Sequence, residues 1–166
     1  MKIFKKKVKA FDFGKVLYLM IIDLLFNEES PVELKKLISV LKIEKDNLSN
    51  NHEIETIILL VYQTFIIIFN NFEDELTYIV LKGMKHRFIS HFIELGMPES
   101  ESEFLRDLFE ERFKQYNEAE KFKSHETVEK WVIIFLQKFL SDSRSFLNIF
   151  LWLPVAQFIT DGTELK

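Results

Sequence analysis

The sequence predicts an all-α fold, a single domain of residues 1–166 built as a bundle of about seven helices. Phenylalanine occurs 18 times in 166 residues, and the copies recur at helical spacing. Only 4 Gly and 3 Pro are present, too few to turn the many short strands of a sandwich or barrel. The hydrophobic fraction of 48% beside a charged fraction of 29% is that of a globular chain with a core to fill. Buried aromatic side chains, at about 150–250 Å² each, dominate such a core.

The N-terminal residues 1–11 read as a basic arm in which Lys2, Lys5, Lys6, Lys7 and Lys9 interleave with Ile3, Phe4 and Val8. Positive charge ahead of the apolar run Val16 to Ile22 has the outline of a signal peptide. Asp12 and Asp23 interrupt that outline, and Asn27-Glu28-Glu29-Ser30-Pro31 follows where a small-residue cleavage site would stand. The segment therefore reads as a retained first helix, from an N-cap at about Asp12 to Asn27. It is apolar all round from Val16 to Phe26 except at Asp23, which predicts a central position. A second helix starts at a capping box, with Ser30 as N-cap, Pro31 at the first helical position and Glu33 at N3. Its apolar stripe is Leu34, Leu37, Ile38 and Leu41.

After a polar loop, the third helix runs from about His52 to Asn71, with Ile57 to Tyr62 and Phe65 to Phe69 split only by Gln63 and Thr64. The fourth, about Glu73 to Leu95, carries Leu76, Ile79, Val80, Met84, Phe88, Phe92 and Leu95 on one stripe. Gly96 is placed to end it as the C′ residue, with Pro98 just beyond. The fifth, about Glu99 to Lys121, sets Phe104, Leu105, Leu108, Phe109, Phe113 and Tyr116 against a strongly acidic opposite face. The sixth begins after Ser124 and contains Val128, Trp131, Val132, Phe135 and Phe139. The seventh, Phe146 to Ile159, is apolar nearly all round, with a kink expected at Pro154 and a frayed tail over 160–166. Helices one, three and seven lack a polar face and are expected at the centre. The apolar runs 57–69 and 146–159, at 13 and 14 residues, fall short of the ~20 that a membrane span needs, so a soluble protein is expected.

Composition narrows function mostly by exclusion. With 22 Lys+Arg against 26 Asp+Glu the chain has no basic footprint for nucleic acid. The absence of Cys removes disulfides and thiolate chemistry and fits the cytoplasm. Ser39, Ser90, Ser141, Ser143 and Ser145 lack the Gly-x-Ser-x-Gly setting of a nucleophile. Among the histidines, His86 and His91 are five apart, one too many for chelation from one helix, and no Glu-x-x-His pair occurs. His91 lies on the apolar stripe between Phe88 and Leu95, as a core or edge histidine or as a ligand-binding group.

Asp23 stands alone in an apolar helix, where a carboxylate must be paired, placed at the rim or put to use. The run Lys82-Gly83-Met84-Lys85-His86-Arg87 reads as a solvated basic face, with Gly83 suited to close helix approach or to an anion. Glu103, Asp107, Glu110 and Glu111 share one face of the fifth helix. Acidic faces of this kind hold Mg²⁺ in all-α nucleotide pyrophosphohydrolases, which pair two such helices; the second set is missing here.

The expected function is a non-enzymatic interaction or assembly module of the cytoplasm, with no cofactor and no metal. Its surplus aromatic surface at Trp131, Phe135, Phe150, Trp152 and Phe158 would meet a protein partner, a homodimer being the simplest case. One alternative is an apolar-ligand or lipid-binding protein with Phe-lined space between helices one, three and seven. Asp23 and His91 would then be its polar groups, and the lysine arm would touch a membrane surface. A second alternative is a metal-dependent hydrolase on the acidic face of the fifth helix.

Overall fold

The computed structural model describes residues 2–27, 50–71, 73–119 and 124–139. These residues form five α-helices and no strand: α1 (Lys2–Phe26), α2 (Asn50–Phe69), α3 (Asp74–Glu94), α4 (Ser102–Ala119) and α5 (Ser124–Phe139). The expected helices at 30–42 and 146–159 lie outside the described residues, and the count of seven with them.

A helix that is apolar on every side needs neighbours on every side. In α2, ten consecutive residues from Ile54 to Gln63 are buried, enclosed by the other four helices. Its threonines hide their hydroxyls locally: Thr56 Oγ1 donates to the His52 carbonyl at 2.7 Å and Thr64 Oγ1 to the Leu60 carbonyl at 2.8 Å. The window His52–Phe69 is long and apolar enough to cross a membrane by length and composition, and 67% of it is buried inside the protein. Counting only the unbroken apolar run understates this helix, because its N-terminal turns are buried as well.

Aromatic rings connect all five helices. Tyr18 of α1 meets Phe88 of α3 at 6.4 Å between centroids, and Phe88 meets Phe109 of α4 at 5.3 Å. Phe109 stacks on Phe113 at 4.5 Å, Phe113 meets Tyr62 of α2 at 5.1 Å, and Tyr62 meets Trp131 of α5 at 5.6 Å. Edge-to-face and offset contacts at these distances add to the stabilisation from area burial. Among the described residues Phe65, Phe88, Phe92, Phe109 and Phe135 are core, whereas Phe13, Phe26 and Phe104 are exposed.

The C-terminus of α3 follows the sequence expectation. Gly96 takes φ 101°, the Met97 N–H reaches the Phe92 carbonyl and the Gly96 N–H the Ile93 carbonyl, both at 3.0 Å. That pair of bonds is a Schellman motif, and only the glycine at C′ adopts its left-handed backbone without strain. The fifth expected helix instead begins as a 3-10 turn, Glu99–Glu101, before α4 proper.

Two expectations for the first helix change. It starts at Lys2, so the basic arm forms its opening turns and Asp12 sits mid-helix instead of capping it. No Gly or Pro interrupts residues 2–13, and the early turns are held along α3: Lys7 pairs with Glu75, and the Phe11 ring meets His86 edge-on at 5.6 Å. Nor is α1 central among the described residues. It packs chiefly on α3, and the two backbones touch at Gly14 and Gly83. A Cβ at Gly14 would sit 2.0 Å from the Val80 carbonyl oxygen, and one at Gly83 2.0 Å from that of Phe11.

Candidate functional site

The outer face of α1 follows from that crossing. Tyr18, Ile21 and Leu25, at i, i+3 and i+7, are buried on the inner face with Gly14. The opposite side therefore points away from the other described helices, and it is largely apolar, with Asp12 and Asp23 set into it. Phe13, Val16, Leu19, Met20 and Phe26 are between 46% and 56% exposed, five of the nine large exposed hydrophobics among the described residues. The other four, Tyr78, Leu95, Phe104 and Ile133, are spread over the other helices and their connections. Scattered apolar residues are ordinary on a protein surface, whereas a contiguous face of them marks an interaction site.

Charges frame this face. Asp23 is exposed between Met20 and Phe26, and Lys9 is exposed two turns before Val16. Neither has an ion-pair partner among the described residues. Asp12 does, since Lys15 Nζ lies 3.5 Å from its carboxylate.

A polar group lies beneath the inner face. Tyr18 and His91 meet ring to ring at 5.7 Å, and His91 Nε2 is 3.9 Å from Glu53 Oε1. Tyr18 Oη and His91 Nε2 are both buried without a hydrogen-bond partner. Burial pushes the Glu53 carboxyl up and the His91 imidazole down, the latter helped by Arg87 and opposed by Glu94. Arg87 Nη1 donates to Glu94 Oε1 at 2.8 Å. Next to Glu53 a cleft of about 340 Å³ is lined by Phe92, Leu95, Gly96, Met97, Pro98 and Glu101.

No family model, curated protein or solved structure matches this chain.

The structure separates the two residues read as ligand-binding. Asp23 is on the solvent side of α1, His91 on the buried side of α3. Of the residues read as an interface, Trp131 and Phe135 are buried in the core, the Trp131 indole N–H donating to the Tyr116 carbonyl at 3.2 Å. Their surface is spent on neighbouring helices. Phe150, Trp152 and Phe158 lie outside the described residues. Two of the three cations of the 82–87 run are paired, Lys85 with Glu110 and Arg87 with Glu94. On the acidic face, the Lys85 hydrogen bond holds the Glu110 carboxyl below its usual range, and Glu111 accepts from Arg112 and Gln115. No cluster of three His, Asp or Glu suited to a metal occurs among the described residues.

Sequence reasoning missed one buried ion pair. Arg112 Nε donates to both carboxylate oxygens of Glu55 at 2.9 Å, joining α4 to α2. Burial pushes the Glu55 carboxyl up against the hydrogen bond and charge of Arg112. The signal was present in the stripe itself. Leu105, Leu108, Phe109, Arg112, Phe113 and Tyr116 share one helical face, and the arginine in it requires a carboxylate from an apolar neighbour.

Proposed function

We propose that this chain is a non-enzymatic helical interaction module of the cytoplasm that engages a protein partner through the outer face of α1. The carrying observation is the row of five large apolar side chains, each about half exposed, on one face of a single helix. Burying such side chains against a partner stabilises a complex by about 25 cal/mol per Å² of apolar surface removed from water, before the cost of association. In the proposed architecture the segments 30–42 and 146–159 supply a second and a seventh helix, as their apolar spacing predicts.

Leu19→Glu tests the reading. With no partner bound, a side chain reserved for a partner leaves the unfolding free energy within about 0.5 kcal/mol of the parent. The same substitution lowers retention on a hydrophobic-interaction column. A loss of several kcal/mol that persists at concentrations where the parent is monomeric would show that the face packs against the chain itself, and would overturn the proposal.

A small-molecule binder is the second reading, favoured by the Tyr18, Glu53 and His91 group beside the cleft of about 340 Å³. Mixed apolar and carboxylate lining suits a small ligand that donates hydrogen bonds. Native mass spectrometry followed by a denaturing run tests it: an extra few hundred daltons, lost on denaturation, would support this reading over the first.

A further inference from the structure

We infer that the partner of the α1 face is a second copy of this chain, docked antiparallel about a two-fold axis that passes through Val16. The inference rests on the interaction reading and adds to it the identity and geometry of the partner. Its ground is the order of residues along the face. Lys9, Val16 and Asp23 are spaced by seven, so they fall within about 40° of one line down the helix. All three are exposed, and the two charges at the ends have no ion-pair partner among the described residues.

An antiparallel two-fold pairing centred on Val16 sets residue i against residue 32 − i of the second copy. Val16 then meets Val16 of the second copy, and Phe13 meets Leu19. Lys9 meets Asp23, and the reciprocal pair closes the other end. Apolar side chains fill most of the middle, where the one charge is Asp12, already paired with Lys15 and set against Met20 of the second copy, while opposite charges close both ends, as a self-complementary two-fold patch requires. A parallel pairing on the same face would place Lys9 against Lys9 and Asp23 against Asp23, two like-charge contacts that penalise it. The opposite face of α1 is already committed to α3 through Gly14 and Gly83, so the rotation of the helix about its axis is set. Asp23 thereby gains a role that its position in an apolar helix left open.

Single cysteines test this directly, because the chain has none of its own. Val16→Cys sits on the axis and is expected to cross-link into a disulfide dimer under mild oxidation. Asp23→Cys is expected to cross-link at least tenfold more slowly, since the two copies' positions are roughly 21 Å apart along the helix pair. A mixture of Lys9→Cys and Asp23→Cys proteins should yield the mixed dimer. In sedimentation equilibrium, Lys9→Glu should weaken the dimer, and Lys9→Glu with Asp23→Lys should restore it.

Equal cross-linking at positions 16 and 23 would overturn the antiparallel geometry. A chain that stays monomeric at every concentration would overturn the second copy as partner. If Leu19→Glu is then harmless to stability, the interaction reading survives with another partner. If Leu19→Glu unfolds the protein, both readings fall together.

Discussion

Helix α2 and the second half of α1, from Val16 onward, are both apolar around most of their circumference, yet the fold treats them differently. In α2 ten consecutive residues are buried, whereas α1 buries Tyr18, Ile21 and Leu25 and leaves Phe13, Val16, Leu19, Met20 and Phe26 half in water. The difference lies in the neighbours. Among the described residues α2 packs against each of the other four helices, while α1 rests chiefly on α3 across a contact so close that glycine is needed on both sides. An all-round apolar pattern states what a helix requires; it does not state which of its faces the same chain will cover.

The sharpest way to break this contrast is to attack the enclosure of α2. Arg112→Ala leaves Glu55 buried without its partner and is expected to cost about 3–5 kcal/mol in urea unfolding. Replacing both residues by apolar ones, Glu55→Leu with Arg112→Met, should recover most of that loss. If the single variant unfolds like the parent, the pair does not pin α4 to α2.

A matched truncation compares the two helices directly. Ile58→Ala, fully buried in α2, is expected to cost about 2–5 kcal/mol. Met20→Ala, on the outer face of α1, should stay within about 0.5 kcal/mol at concentrations where the chain is monomeric. Equal losses would erase the distinction between the helices.

The α1–α3 contact is probed by Gly14→Ala. The added methyl would meet backbone, which cannot rotate away, so a loss of about 1–3 kcal/mol is expected in the thermal or urea midpoint. An unchanged midpoint would mean the helices are further apart than described.

The smallest effect is the pH dependence of the group beneath α1. The folded protein holds the His91 imidazole below its ordinary value of 6.5, so the unfolded chain binds the proton first as pH falls. Stability from this group is complete above about pH 6.5 and is lost on acidification. Glu53 has the opposite sign: its raised carboxyl favours the folded state at low pH, and that contribution fades as pH rises from 4.5 through the folded value. His91→Leu should flatten the decline between about pH 6.5 and 5, measured as the urea midpoint against pH. A slope identical to the parent would show that His91 does not titrate differently on folding.

Parts of this molecule were readable in advance because they depend on local chemistry. The glycine stop at Gly96 is one, since a left-handed C′ residue has a local cause. The helices at 50–69, 74–94 and 124–139 are others, since their apolar spacing repeats over several turns. The start of α1 was not readable, because the turns before Asp12 depend on Glu75 and His86 from another helix. Arg112 with Glu55, and Tyr18 with His91, join residues far apart in the chain, and no local pattern states which pairs will meet.

The sequence by itself determined that this protein is helical, aromatic in its core and free of cysteine chemistry, because period, composition and capping act within a few residues. Only the tertiary structure decided which apolar residues are core and which are surface. Trp131 and Phe135 went inward, and the outer row of α1 stayed exposed. Burial belongs to the contact between elements, and the glycine crossing of α1 and α3 sets which side of α1 that contact covers.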